Sequence, residues 1–293
     1  MKFITDIIKG MVIGVANIIP GVSGGTMMVS MGIYPKLISA VNNLFKEFKK
    51  SFMTLLPIII GMGLGIGIFS FIIPYCLTSF PLQTSLCFIG LILGGVPFII
   101  APAKESLTKE NKKLSYPHVI AFVLLFALAV VMAFLNDSQT HASDLTLSFV
   151  VVIKMFFIGA IVAATMIVPG VSGSLVLMLL GFYTGIIETI RDFLHALLSF
   201  DVTTLMNTLG ILIPFGIGVL VGIALVTKLI NFLFERFPSI TYSAILGLIV
   251  ASPIGIIAKM EPAKINVLTV IVGVILLIAG CAFTYLFGKK TEN

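Results

Sequence analysis

Two short stretches of this chain carry the residue types that hold an anion. Gly21-Val22-Ser23-Gly24-Gly25-Thr26, preceded by Asn17, sets the hydroxyls of Ser23 and Thr26 among glycine amides at the head of an apolar stretch. Gly170-Val171-Ser172-Gly173-Ser174 does the same with Ser172 and Ser174. A glycine-rich turn can aim several N–H groups at one point, and a helix starting there adds partial positive charge. The ligand such a seat accepts is a phosphate or a carboxylate. Lys154, inside the apolar segment before the second turn, and Arg191, after it, are candidate phosphate contacts. Glu188 is a candidate coupling site for a proton or cation. The plainer readings stay open beside these. Each turn could be a packing kink with serine as a helix cap. Lys154 could snorkel to the surface. Glu188 could pair with Arg191, as Asp6 could with Lys9.

Other chemistries fit less well. Gly21-Val22-Ser23-Gly24-Gly25 formally matches the G-x-S-x-G nucleophile elbow, which needs a preceding strand and a histidine and acid as partners. No strand is evident, and the second copy breaks the pattern at Ser174. An intramembrane serine protease needs a histidine within the membrane, whereas His118, His141 and His195 fall at segment ends or in loops. No His, Cys or carboxylate cluster has ligand spacing, so no metal and no cofactor is expected. Cys76, Cys87 and Cys281 are odd in number and lie in or beside apolar segments, as small core residues do.

The elements that position these turns must be membrane helices. The 293 residues are 59% hydrophobic and 10% charged, with a mean hydropathy of +1.19. Soluble domains carry about a quarter charged residues. Barrel strands need only about 10 alternating residues, and these apolar runs are far longer. Ten apolar segments are read at 3–16, 26–41, 52–77, 84–102, 118–135, 148–166, 174–190, 205–234, 241–258 and 265–287. The net charge of +6 collects in short loops, so it points to membrane orientation and not to nucleic acid. With both termini inside, inner loops and tail hold Lys46, Lys49, Lys50, Lys104, Lys109, Lys112, Lys113, Arg236, Lys289 and Lys290, while outer loops hold only Arg191, Lys259 and Lys264. The first segment imitates a signal peptide, but it carries Asp6 and Lys9 and runs straight into the first motif.

The chain repeats itself. At an offset of 149, Ile18, Pro20–Gly24, Gly32, Tyr34 and Ile38 recur as Ile167, Pro169–Gly173, Gly181, Tyr183 and Ile187. Further on the offset is 157: Pro57, Gly61, Gly65, Phe80, Pro81, Thr84 and Gly90 recur as Pro214, Gly218, Gly222, Phe237, Pro238, Thr241 and Gly247. Eight extra residues therefore enter near 191–204. The expected fold is one all-α integral membrane domain over 1–293, with repeat 1 at about 1–136 and repeat 2 at about 147–288. Each half is a broken, re-entrant helix pair plus three transmembrane helices. An odd number of spans inverts the second half, which predicts an inverted-topology repeat with the two Pro-Gly-Val-Ser-Gly loops meeting near the midplane. The glycines at 61, 63, 65 and 67, and at 218 and 222, read as small-residue packing faces.

Asn17-Ile18-Ile19-Pro20-Gly21-Val22-Ser23-Gly24-Gly25-Thr26, with Gly32-Ile33-Tyr34 after it, resembles the first signature of the bacterial polyprenyl-phosphate transporter family. Met166-Ile167-Val168-Pro169-Gly170-Val171-Ser172-Gly173-Ser174, with Leu180-Gly181-Phe182-Tyr183, resembles the second. The resemblance covers nearly the whole chain. It implies a non-enzymatic flippase of the bacterial plasma membrane that returns undecaprenyl phosphate from the outer to the cytoplasmic leaflet by alternating access. The acid that often follows the motif tyrosine in that family is Pro35 and Thr184 here. A transporter of small soluble anions is the first alternative, and a membrane enzyme acting on lipid phosphates the second. The partners implied are the lipid and the bilayer; whether the chain forms a homo-oligomer stays open.

Overall fold

The computed structural model describes residues 2–19, 22–44, 46–70, 72–111, 113–135, 145–260 and 265–292. Gly21 and His141 lie outside the described residues. The elements are all helices: α1 (Lys2–Ile18), α2 (Gly24–Ser30), α3 (Tyr34–Asn42), α4 (Phe48–Phe69), α5 (Ile72–Ser79), α6 (Pro81–Gly95), α7 (Pro97–Lys109), α8 (Tyr116–Phe134), α9 (Phe149–Ile167), α10 (Gly173–Leu179), α11 (Tyr183–Ser199), α12 (Val202–Arg236), α13 (Pro238–Ala258) and α14 (Val267–Glu292). Among the described residues seven stretches are long and apolar enough to cross a membrane: α4, α6 with α7, α8, α9, α12, α13, and α14 through Lys289. At most half of each is buried within the molecule, so apolar side chains cover much of the outer surface, as lipid requires. The chain is a multi-pass membrane protein. α10 and α11 pass the same test together but are bent by 107° at Leu180–Phe182.

Two compact units form. One comprises Met1–Leu135, Val168–Val171 and Thr227–Asn293; the other comprises Asn136–Ile167 and Ser172–Val226. In the first unit α1 lies on α4 with almost no side chain between them. A Cβ at Gly10 would overlap the Ile58 carbonyl, one at Gly61 that of Ile7, and one at Gly65 that of Met11. In the second unit α9 and α12 pack by the same rule. Gly159 abuts the Phe215 carbonyl, Gly218 that of Phe156, and Gly222 that of Ala160. Each pair follows from its counterpart by the offsets 149 and 157. Without a hydrophobic force between helices in lipid, such backbone approach is how they gain dispersion contact. Gly63 and Gly67 meet nothing within 4 Å, so the expected four-glycine face consists of Gly61 and Gly65 only.

Backbone geometry recurs at the same offsets. Gly32 and Gly181 close the α2–α3 and α10–α11 turns at φ 68° and 79°, where only glycine is unstrained. The Thr84 hydroxyl donates to the Cys76 carbonyl, and the Thr241 hydroxyl to the Leu233 carbonyl, both at 3.0 Å. Within the first unit α14 packs on α6, with Gly90 on the Leu277 carbonyl and Gly94 on that of Cys281. α8 packs on α13, with Gly247 on the Phe122 carbonyl. The closing helix of each sequence half thus pairs with a helix of the other. The additional residues near 191–204 lengthen α11, which runs nine residues past its expected end to Ser199 and stops at Phe200 in the left-handed region. Asp201 then caps α12. The Thr204 hydroxyl and amide donate to its carboxylate, which holds that acid below the usual range.

Candidate functional site

Ser23 occupies the N-cap of α2 in extended conformation, yet its hydroxyl caps nothing. The residue is 6% exposed, and its Oγ has no hydrogen-bond partner among the described residues. An unpaired buried hydroxyl costs about 1–3 kcal/mol. Gly24 and Gly25 behind it are buried, and any side chain at 24 would collide with the amide oxygen of Asn17 on the last turn of α1. Thr26 is wholly buried.

The second motif reaches Thr26 through its backbone. The Gly170 amide, with φ 77°, donates to Thr26 Oγ1 at 2.8 Å. Thr26 Oγ1 lies 3.3 Å from Ser252 Oγ, whose own proton goes to the Leu248 carbonyl at 3.0 Å. The donors therefore run in one direction: Gly170 amide, Thr26 hydroxyl, Ser252 hydroxyl, Leu248 carbonyl. A Cβ at Gly170 would press on Leu248 at 3.1 Å. Ser23, Gly24, Gly25, Thr26 and Gly170 all belong to the first unit, so residues of both motifs meet inside one compact body. Sequence reading missed Ser252; its signal was a serine beside Pro253 at the end of an apolar run.

The remaining candidates lie in the second unit. Ser172 caps α10, accepting from the Leu175 amide at 3.4 Å, and lies 2.9 Å from the hydroxyl of exposed Ser174. Gly173 is buried against Met166. Lys154 is exposed on α9, without a polar partner among the described residues. Glu188 and Arg191 are both exposed on α11 and make no ion pair with each other, contrary to the pairing reading. Glu188 lines a polar cavity of about 580 Å³ with Asp192, Thr189, Thr204, Asn207 and Thr208. Among the described residues no three His, Cys, Asp or Glu side chains are grouped to hold a metal.

The buried charges are arranged differently from their sequence spacing. Asp6 pairs with Lys36 of α3 at 2.8 Å, not with Lys9. Lys9, wholly buried, donates to the Met31 carbonyl at the end of α2, at 2.7 Å. His118, expected at a segment end, does lie in the first turn of α8 but is 2% exposed. Its Nδ1 accepts from the Ser115 amide at 3.2 Å, which leaves the ring proton on Nε2. Nε2 then donates to Ser239 Oγ at 3.0 Å, and that hydroxyl donates to Glu110 at 3.1 Å. This imidazole gives Ser239 a proton, whereas a nucleophile needs a base that takes one.

Known proteins resemble this chain along nine-tenths or more of its length. A polyprenyl-phosphate transporter of Staphylococcus aureus (strain NCTC 8325 / PS 47) is 32% identical over 292 residues, covering 98% of this chain and 97% of its own. One of Vibrio cholerae serotype O1 (strain ATCC 39315 / El Tor Inaba N16961) is 26% identical over 279 residues, covering 90% and 79%. No solved structure matches. The family model described as undecaprenyl phosphate translocase-like matches residues 13–252 and 202–292, and the chain belongs to that family.

Proposed function

We propose that this protein is a flippase that returns undecaprenyl phosphate from the outer to the cytoplasmic leaflet of the bacterial plasma membrane. The lipid carrier so recovered is reused in cell-wall and surface-polymer synthesis. The names of the two relatives support a polyprenyl phosphate as cargo. Ten basic residues in loops and tail on one side against three on the other support cytoplasmic termini.

The observation that carries the reading is the Gly170–Thr26 hydrogen bond beside the unpartnered Ser23 hydroxyl. A phosphate oxygen arriving here finds one free buried hydroxyl, the glycine amides behind it, and an amide that Thr26 can release. Charge-assisted hydrogen bonds to an anion are roughly twice as strong as neutral ones, so the exchange favours the ligand. The apolar outer faces of the membrane helices suit the polyprenyl tail. Alternating exposure of the seat to the two sides completes the cycle, and the inverted relation of the halves read from span parity supplies two related openings. Ser172, Ser174, Lys154 and Arg191 serve the cargo on its way in this reading.

The test is the amount of undecaprenyl phosphate on the outer leaflet. It is read with a probe for surface-exposed lipid phosphate, in cells lacking other carriers of this lipid. Depleting the protein should raise the signal, and a Ser23→Ala/Gly170→Ala variant expressed at wild-type level should not lower it. An unchanged signal on depletion would remove the lipid from the proposal and leave a transporter of soluble anions.

A further inference from the structure

We propose that Asp6 is a proton-binding site that couples transport to the transmembrane proton gradient. The inference rests on the transporter reading above and adds its energy source.

The argument begins with cost. Asp6 is 5% exposed and Lys9 is wholly buried, and ionised groups in such places are expensive. The same scaffold does without them in the second unit. At the offset of 149, Asp6, Lys9 and Lys36 become Met155, Ile158 and Gly185. Met155 and Ile158 there join Val162, Leu177 and Ile186 in an apolar cluster. The glycine contacts of α1 with α4 match those of α9 with α12, so this helix packing can be held without charge. The ionic trio is therefore not required by the fold.

The geometry then selects a proton. One Asp6 oxygen accepts from Lys36, and the other, Oδ1, is buried with no hydrogen-bond partner among the described residues. The charged groups facing Asp6 are Lys9 on its own helix and Lys36 on α3. α2 has no charged residue. Those described on α4, Lys49 and Lys50, are exposed in its first turn, with Lys50 paired to Glu47. A metal cation needs several oxygen ligands, and Oδ1 is the single unpartnered oxygen offered here among the described residues. A proton needs only the free lone pair. Binding H⁺ converts the carboxylate to a neutral acid and turns the Lys36 ion pair into an ordinary hydrogen bond. Lys36, a third exposed, is then free to move. Lys9, one turn along α1, holds the C-terminal carbonyl of α2. Asp6 thus lies one turn from the amine that holds the helix carrying Ser23 and Thr26.

The experiment uses purified protein in liposomes with undecaprenyl phosphate and equal sodium on both sides. With wild type, a gradient of one pH unit should shift the leaflet ratio about tenfold for one coupled proton, and a protonophore should abolish the shift. Asp6→Asn should still equilibrate the lipid but without any shift. Should that variant not fold, Asp6→Met/Lys9→Ile/Lys36→Gly, which installs the residues of the second half, gives the same reading. pH-difference infrared spectra of the same samples report the proton directly: wild type should show a carboxylic-acid band that Asp6→Asn lacks. A gradient response that survives either variant overturns the proposal, as does a wild-type response to sodium alone. Failure of wild type to move the lipid overturns the transporter reading instead, and the infrared band then decides the proton site by itself.

Discussion

In the first hairpin, α1 through α3, Asp6, Lys9 and Lys36 stand where the second, α9 through α11, has Met155, Ile158 and Gly185. Both hairpins turn at a left-handed glycine, both begin their short helix at an extended serine, and both lay a glycine-faced helix on a long neighbour. The difference is confined to what fills the space between: an ion pair and an amine on a carbonyl in one, aliphatic side chains in the other. The serines part in the same way. Ser23 is sealed in and caps nothing, while Ser172 is half-buried and caps its helix. One plan of backbone is thus used twice. Of the buried polar atoms without a partner among the described residues, Asp6 Oδ1 and Ser23 Oγ lie in the first hairpin and none in the second, and that is where function is to be sought.

The largest expected effect comes from breaking the ionic side of this contrast. Asp6→Ala leaves two ammonium groups without their carboxylate and should lower stability by about 3 kcal/mol, at the low end for a buried pair because Lys36 is partly exposed. The triple exchange toward the second hairpin should cost far less, and unfolding in detergent measures both. A smaller effect tests the shared plan. Gly32→Ala and Gly181→Ala each force a side chain into the left-handed region and should each cost about 1–2 kcal/mol. A cost at only one of the two would mean that the turns are not equivalent. The smallest effect sharpens the serine contrast. Ser172→Ala should lose about 1 kcal/mol of capping, whereas Ser23→Ala should cost nothing in stability and yet weaken binding of a short-chain polyprenyl phosphate. Thermal shift with and without that ligand separates the two.

Much of the fold could be read from residue spacing. The ten apolar segments correspond to α1, α2–α3, α4–α5, α6–α7, α8, α9, α10–α11, α12, α13 and α14, because length and hydropathy set what can cross a bilayer. Offsets of 149 and 157, found in the sequence, recur in the glycine contacts because close helix approach allows few alternatives. Pairing among polar groups was less legible. Asp6 and Lys9 are three apart on one helix and looked like partners, but α3 brings Lys36 closer and Met31 offers Lys9 a carbonyl. His118 looked interfacial because it starts a segment; the Ser115 spacing of a capping box was the available hint, and Ser239 had none. Thr26 was read as a donor toward a ligand, and its bonds to Gly170 and Ser252 arise only when distant segments converge.

The exchange of closing helices bears on how the protein is made. α6 cannot bury its glycine face at Gly90 and Gly94 until α14 is inserted, since Leu277 and Cys281 supply the surface it needs. At about 5–20 residues per second that interval is on the order of ten seconds or more. Through it the half-built chain must keep a notched helix in lipid without its mate. A ribosome that stalls before α14 would leave a product with an open seam, ready for quality-control proteases. Two genes each encoding one half could rebuild the protein only by trading those helices, so fusion into one chain secures a partner that is always synthesised in equal amount.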